Sequence, residues 1–69
     1  MKIINTESIG KVIRERRKKL GYTQGFIADF TGLSVSFISD VERGKSTAEI
    51  GKIIMLMNTL GLDIIVESR

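Results

Sequence analysis

Thr23 to Gly44 reads TQGFIADFTGLSVSFISDVERG, and this stretch decides the fold. Two short runs of helical character are joined by Thr31-Gly32-Leu33-Ser34. Thr23 is placed to cap the first run, from Gln24 to about Phe30, with Phe26, Ile27 and Phe30 on its apolar side and Ala28 small enough for close helix packing. Gly32 stands where a tight turn wants left-handed backbone, Leu33 turns inward, and Ser34 caps the second run, Val35 to about Arg43. Ile38 and Val41 give that run its buried side and Phe37 its flank, while Ser36, Ser39, Asp40 and Arg43 occupy the opposite face until Gly44 ends it. Two short helices joined this way, the second opening with small side chains and ending in a basic cluster, have the layout of a helix-turn-helix whose second helix lies in the DNA major groove.

On the N-terminal side, Met1 to Asn5 is a short β-favouring start, either a small strand or a frayed end. A first helix is expected from Asn5 or Thr6, either of which can cap, to Leu20, because Ile9, Val12, Ile13 and Leu20 recur at helical spacing and Gly21 supplies the stop. Six of the eleven basic residues lie in this helix: Lys11, Arg14, Arg16, Arg17, Lys18 and Lys19, opposed there by Glu15. The cluster suggests a polyanion, nucleic acid first, while the bland alternative is a solvated helix face whose last-turn cations meet the helix dipole.

On the C-terminal side, Ser46-Thr47-Ala48-Glu49 matches a capping box and is expected to start a fourth helix. Ile50, Ile53, Ile54, Met57 and Leu60 form its stripe, and Met55 and Leu56 widen that stripe beyond what one core contact needs. A second contact surface is one reading; a core with adjacent apolar residues is the other. Gly61 closes the helix with Leu62 as its hydrophobic contact. Asp63 to Glu67 is β-branched, bounded by charges and too short for a helix, so it reads as a strand. Its backbone groups need a partner, either Lys2 to Asn5 or the same strand of a second protomer. The chain is therefore expected to be one mainly α domain over residues 1–69, of four to five helices, with a dimerisation helix and strand at 46–67.

The composition removes several classes of chemistry. With no cysteine and no histidine, disulfides, thiolate or imidazole metal sites and every His- or Cys-based catalytic arrangement are excluded. No paired-carboxylate spacing or phosphate-cradling glycine loop is present, so neither an enzyme nor a cofactor is expected. No apolar run approaches the roughly 18 residues needed to cross a bilayer, and the expectation is a soluble, cytoplasmic chain without a membrane partner. The net charge is a modest +3.

Thr23-Gln24 with Ala28, then Gly32-Leu33-Ser34, Ile38-Ser39 and Glu42-Arg43-Gly44-Lys45, resemble the helix-turn-helix of the phage-repressor-like (Cro/C1, XRE) family. The likeness runs from about Ile9 to Leu62. An Arg-Arg-rich first helix, the Glu-Arg-Gly-Lys exit into Ser-Thr-Ala-Glu, and a terminal strand after Leu60-Gly61-Leu62 are similar to HipB-type antitoxins in particular. That resemblance implies a λ-repressor-like domain, a homodimer with a small intermolecular sheet, repression of its own operon at a palindromic site, and a HipA-like kinase toxin as partner. Departures are Gly25, usually polar or acidic in the family, Ser46 where proline is frequent, and the short tail, with only Ser68 and Arg69 after the strand.

Matching positions imply that Val35, Ser36, Ser39 and Asp40 read base edges: Val35 packs on a thymine methyl and the serines donate or accept. Asp40 has two roles open to it, accepting from cytosine N4 or pairing with Arg43 or Lys45 to orient a cation. Phosphate contacts are expected from Gln24 and the backbone at Thr23 to Gly25, where a helix N-terminus offers unpaired amides. Phe37, Arg43 and Lys45 are expected along the DNA backbone, with Arg16 or Lys19 as weaker additions. The dimer surface is expected at Met55, Leu56, Ile64, Ile65 and Val66. Two rival readings stay open: a stand-alone phage-type repressor without a toxin, and a protein-interaction module that has lost DNA binding.

Overall fold

The computed structural model describes residues 2–69 and contains four helices; Met1 lies outside them. Helix α1 spans Thr6–Lys19, α2 Gln24–Thr31, α3 Val35–Glu42 and α4 Ile50–Thr59. The cap at α1 is Asn5, whose side chain accepts from the Ser8 amide at 2.8 Å, and the Ser8 hydroxyl in turn takes the Asn5 amide at 3.2 Å. Thr6 is thereby freed for a longer reach: its hydroxyl donates to the Gly44 carbonyl at 2.8 Å, tying the start of α1 to the exit of α3. Thr23 and Ser34 cap α2 and α3 as expected, accepting from Phe26 and Phe37 amides at 3.0 Å each. Gly32, at φ +79°, supplies the left-handed residue between them.

The core is one cluster: Ile13 from α1, Ile27 from α2, Leu33 from the turn, Ile38 and Val41 from α3, and Ile53, Leu56, Met57 and Leu60 around α4. Ala28, Ile9, Phe37 and Leu62 pack at its edge. Helices as short as α2 and α3 are not stable alone, so this shared burial is what keeps them helical. The seam between α1 and α3 is the tightest in the fold. A Cβ built on Gly10 would lie 2.3 Å from the Val41 carbonyl oxygen and 2.8 Å from that of Glu42, so only glycine lets the α1 backbone rest on the last turn of α3.

One charged pair spans the same seam. Arg17 is buried, and its guanidinium donates to both Glu42 oxygens, Nε to Oε2 at 2.7 Å and Nη2 to Oε1 at 2.9 Å, with Nη1 on the Tyr22 carbonyl at 2.8 Å. The hydrogen bond to Glu42 raises the Arg17 pKa above its ordinary value, against the lowering effect of burial and with the coulombic attraction adding to it. A raised folded-state value contributes stability at every pH below the ordinary arginine range and loses it only above that range. The pair is therefore constant across working pH.

Four expectations need correction. Helix α4 begins at Ile50, not at Ser46: Ser46 and Thr47 lie in a turn, and the cap position is Glu49, which makes no side-chain cap bond because its carboxylate reaches Lys52 at 3.5 Å. Phe26 and Phe30 do not pack inward; they stand exposed on the outer face of α2 and, with Tyr22 four residues before Phe26, form a row with ring centroids 4.9 and 6.4 Å apart. The i, i+4 spacing of Phe26 and Phe30 puts them on one side of α2, with Tyr22 packed on from the connection before it, and Ile27 and Ala28 face the core instead. Leu20 also lies at the surface, as the α1 C-cap. Finally, no β-strand is present among the described residues: Asp63 to Glu67 follows α4 without pairing to Lys2 to Asn5, because one chain offers it no aligned edge. The two segments nevertheless share one groove, described below.

The seam yields two stability predictions. Gly10→Ala should destabilise the domain by about 1–3 kcal/mol through overpacking, whereas Gly51→Ala, with nothing within 4 Å of a new Cβ, should stabilise α4 by up to ~1 kcal/mol; urea unfolding measures both. Glu42→Ala leaves a buried guanidinium unpaired and should cost about 3–5 kcal/mol, while Arg17→Met combined with Glu42→Leu should recover most of that loss. Equal destabilisation by the single and the double variant would mean that the pair's geometry, not its charge balance, holds the seam.

Candidate nucleic-acid interface

Helices α2 and α3 present one polar surface. Val35 and Ser36 open α3 on its exposed side, and Ser39 and Asp40 follow half-buried on the next turn. Asp40 is not free: Oδ1 accepts from Arg43 Nη2 at 2.6 Å and Oδ2 from Lys45 Nζ at 3.4 Å, while Arg43 Nη1 donates to the Ser39 hydroxyl. Ser39, Asp40, Arg43 and Lys45 thus form one network on the outer face of α3, and the carboxylate orients two cations in the free protein. Exposed pairs of this kind hold side chains in place more than they stabilise the fold.

At the start of α2, the Thr23 hydroxyl is spent on its cap bond, and Gln24 Nε2 donates to Glu42 Oε1 at 3.2 Å. The buried Arg17–Glu42 pair therefore also fixes the Gln24 amide. Gly25 has nothing but the Thr23 hydroxyl oxygen, 3.9 Å away, near a built Cβ, so the chain's own packing does not require glycine there. An open cleft of about 360 Å³ separates α1 from the α2–α3 unit, lined by Arg14, Gln24, Ser39, Glu42 and Arg43.

The sequence-predicted residues at Thr23, Gln24, Gly25, Val35, Ser36, Ser39, Asp40, Arg43 and Lys45 belong to α2, α3 and the exit from α3. Phe37 packs at the core edge, and the Lys52 ammonium covers its ring at 5.7 Å from the centroid. Arg16 and Lys19 also differ from each other. Arg16 Nε donates to the Leu60 carbonyl at 2.8 Å and closes the end of α4, whereas Lys19 is exposed.

On the expected dimer surface, Leu56 is the exception. Its side chain is 0% exposed and sits at the centre of the core, so it offers nothing to a partner. Ile50, Ile54 and Met55 are the exposed apolar residues of α4, and Ile64, Ile65 and Val66 continue them along the tail. The buried stripe is Ile53, Leu56, Met57 and Leu60, so Ile50 and Ile54, expected in the core stripe, lie outside it. A groove of about 790 Å³ runs between the tail and the first residues, with Ile9 and Met57 in its lining and Ile3, Ile4, Ile64, Ile65 and Val66 along it. Arg14, read in the sequence only as one of the basic cluster, lines the cleft beside Gln24 and Arg43.

Among the described residues there is no cluster of acidic side chains able to hold a metal, and no helix is long and apolar enough to cross a membrane. The helix-turn-helix family model matches residues 13–66. An uncharacterized HTH-type transcriptional regulator, y4mF, of Sinorhizobium fredii (strain NBRC 101917 / NGR234) is 41% identical over 56 residues, covering 81% of this chain and 74% of that protein. Among solved structures, a chain of a HipB-O4 20mer complex superposes with a TM-score of 0.90 at 19% identity, covering 99% of this chain and 96% of that one. A chain of a HipA-HipB-O2-O3 complex does so with a TM-score of 0.89, again at 19% identity and with the same coverage of both chains. At that identity the likeness is one of fold. Taken with the capped, turn-linked α2 and α3, the family match over most of the chain establishes that this protein belongs to the helix-turn-helix family of transcriptional regulators, which are not enzymes.

Proposed function

We propose that this chain is a sequence-specific double-stranded DNA-binding repressor that works as a homodimer on a palindromic operator, and that it is the antitoxin of a HipBA-like operon whose own promoter it represses. The observation that carries the DNA reading is the exposed face of α3. It opens with Val35 and Ser36, keeps two tethered cations at its end, and lies beside the capped N-terminus of α2. Val35 packs on a thymine methyl and Ser36 and Ser39 exchange hydrogen bonds with base edges. Asp40 acts chiefly by aiming Arg43 and Lys45 at phosphates, since both already hold it in the free protein. Gln24 and the amides at Thr23 to Gly25 take a phosphate, and the open space at Gly25 allows a close backbone approach from outside.

The side chains on this face are short and read few base pairs, so one copy would bind weakly. Two copies with recognition helices about 34 Å apart double the contact and match a two-fold operator. Support for the dimer comes from the exposed Ile50, Ile54 and Met55 next to an apolar tail whose backbone lacks partners, an arrangement that self-pairing across a two-fold axis would satisfy. The HipA-like kinase partner rests on the whole-chain likeness to HipB, the fold also found in the HipA-HipB-O2-O3 complex. A protein-interaction module that no longer binds DNA is the second reading, favoured by the exposed Tyr22-Phe26-Phe30 row and the acidic Asp40.

Gel-shift titrations on the chain's own upstream DNA separate these readings. Ser36→Ala should change base preference and leave salt dependence alone, whereas Lys45→Ala should weaken all sequences alike and lower the salt slope by about one. Identical losses by both variants on every DNA would remove α3 from the groove, and the absence of wild-type binding at low salt would leave the interaction module. Ile65→Asp should give monomers in analytical ultracentrifugation, and a dimer mass that survives it would rule out the tail as the interface.

A further inference from the structure

The basic cluster of α1 is not one surface. Arg16 is committed to the Leu60 carbonyl and Arg17 to Glu42, so both hold the fold together. Lys11, Arg14 and Lys18 stand at i, i+3 and i+7 on one side of the helix; all three are exposed, and none forms an ion pair among the described residues. Arg14 is the member of this stripe that lines the cleft between α1 and the α2–α3 unit, together with Gln24, Ser39, Glu42 and Arg43.

Around that cleft Arg14 is the cation that pairs with no carboxylate among the described residues. Glu42 is matched by the bidentate Arg17, and Asp40 is held by both Arg43 and Lys45. Glu15, next in sequence, points to another side of the helix, as adjacent helical residues do. The cleft thus carries an unmatched guanidinium beside an amide whose orientation is fixed: Gln24 spends one Nε2 hydrogen on Glu42 and keeps the second. A planar guanidinium with a neighbouring N–H donor suits a phosphate group, which accepts bidentate hydrogen bonds from arginine.

We propose that Arg14 contacts a DNA backbone phosphate seated in this cleft, with Gln24 as the second donor, and that it is the residue through which α1 joins the DNA interface. This assignment rests on the reading of the chain as a DNA-binding protein. Lys11 and Lys18 extend the positive stripe from the cleft along α1 and add to its field without sharing the phosphate. The Arg17–Glu42 pair enters as a positioning device, since Glu42 aims the Gln24 amide into the same cleft.

The test is fluorescence-anisotropy titration of wild type, Arg14→Gln, Arg14→Lys and Arg16→Gln with two duplexes, the chain's own upstream DNA and a random sequence, between about 50 and 200 mM salt. Arg14→Gln should weaken both duplexes alike and lower the salt slope by about one, so that its affinity falls roughly threefold less than that of wild type across this salt range. Arg14→Lys should keep the slope while losing part of the affinity, because the charge remains and the bidentate geometry does not. Arg16→Gln should lower the melting temperature and leave the slope unchanged. An unchanged slope and affinity in Arg14→Gln would overturn the proposal, and so would a loss confined to the upstream DNA, which would mark a base contact instead. Failure of wild type to bind either duplex would instead strike at the DNA-binding reading itself, and is seen before any variant is compared.

Discussion

The α1–α3 seam depends on a single charged contact, the fork of Arg17 around the Glu42 carboxylate. A buried ion pair is a poor source of net stability, because the desolvation of two charges offsets most of their attraction. What it does supply is direction. The planar fork fixes the in-plane direction of the carboxylate it binds, and a third N–H, on the Tyr22 carbonyl, ties the α1–α2 connection to the same point. With Gly10 letting the α1 backbone touch the carbonyls of Val41 and Glu42, the end of α3 is fixed in both distance and rotation. A helix of only two turns has little else to set its orientation.

The pair also divides the charges of α3 by function. Glu42 faces inward, where its three hydrogen bonds, two from Arg17 and one from Gln24, occupy it fully. Asp40, two residues earlier and so on nearly the opposite side of the helix, faces outward and holds Arg43 and Lys45. Neither carboxylate therefore stands as a bare negative charge before a polyanion. The same logic sorts the arginines of α1: two brace the interior and one is left over for the cleft. A modest net charge of +3 is compatible with a nucleic-acid interface because so much of the charge of either sign is used internally.

Most of the helical plan was legible in the sequence, and the reasons differ by element. Thr23, Gly32 and Ser34 each do one local job that only a few residue types can do, so α2, the turn and α3 could be placed almost to the residue. The fourth helix starts later than expected because Ser46-Thr47-Ala48-Glu49, although it satisfies the capping pattern, forms a turn closed by the Ala48 amide on the Lys45 carbonyl at 3.4 Å, and the helix begins only at Ile50. Leu56 was placed outward for a separate reason: too many apolar residues crowd α4 for sequence to tell which face is core, and Leu56 lies on the buried one with Ile53, Met57 and Leu60. The inward placement of Phe26 and Phe30 failed on a different ground: hydrophobicity says that a ring favours burial, not that the core has room for it. The Arg17–Glu42 pair did leave a trace. Arg17 continues the stripe of Ile13 and Leu20, and Glu42 lies four residues after Ile38; an acid and a base each placed on an apolar stripe are natural partners for one another.

The remaining exposed apolar residues fall into two groups with different physical demands. The row of Tyr22, Phe26 and Phe30 packs ring against ring, and its amides at Tyr22 and Phe26 are already taken by the Arg17 carbonyl and the Thr23 hydroxyl. The tail is different: Ile64, Ile65 and Val66 expose β-branched side chains on an extended backbone whose donors and acceptors have no ladder. Water can serve those groups, but then the apolar side chains on both sides of the segment stay wet, and no rotation of an extended chain hides both. Covering one side needs the groove over Ile9 and Met57, and covering the other needs a surface this chain does not supply. A second tail laid antiparallel to the first would provide the ladder and the cover together, and would set two recognition helices in a fixed relation. In the proposed dimer, a short reading helix with small side chains would gain specificity from such a fixed relation, so one pairing would meet the need of the tail for a partner and that of α3 for a second copy.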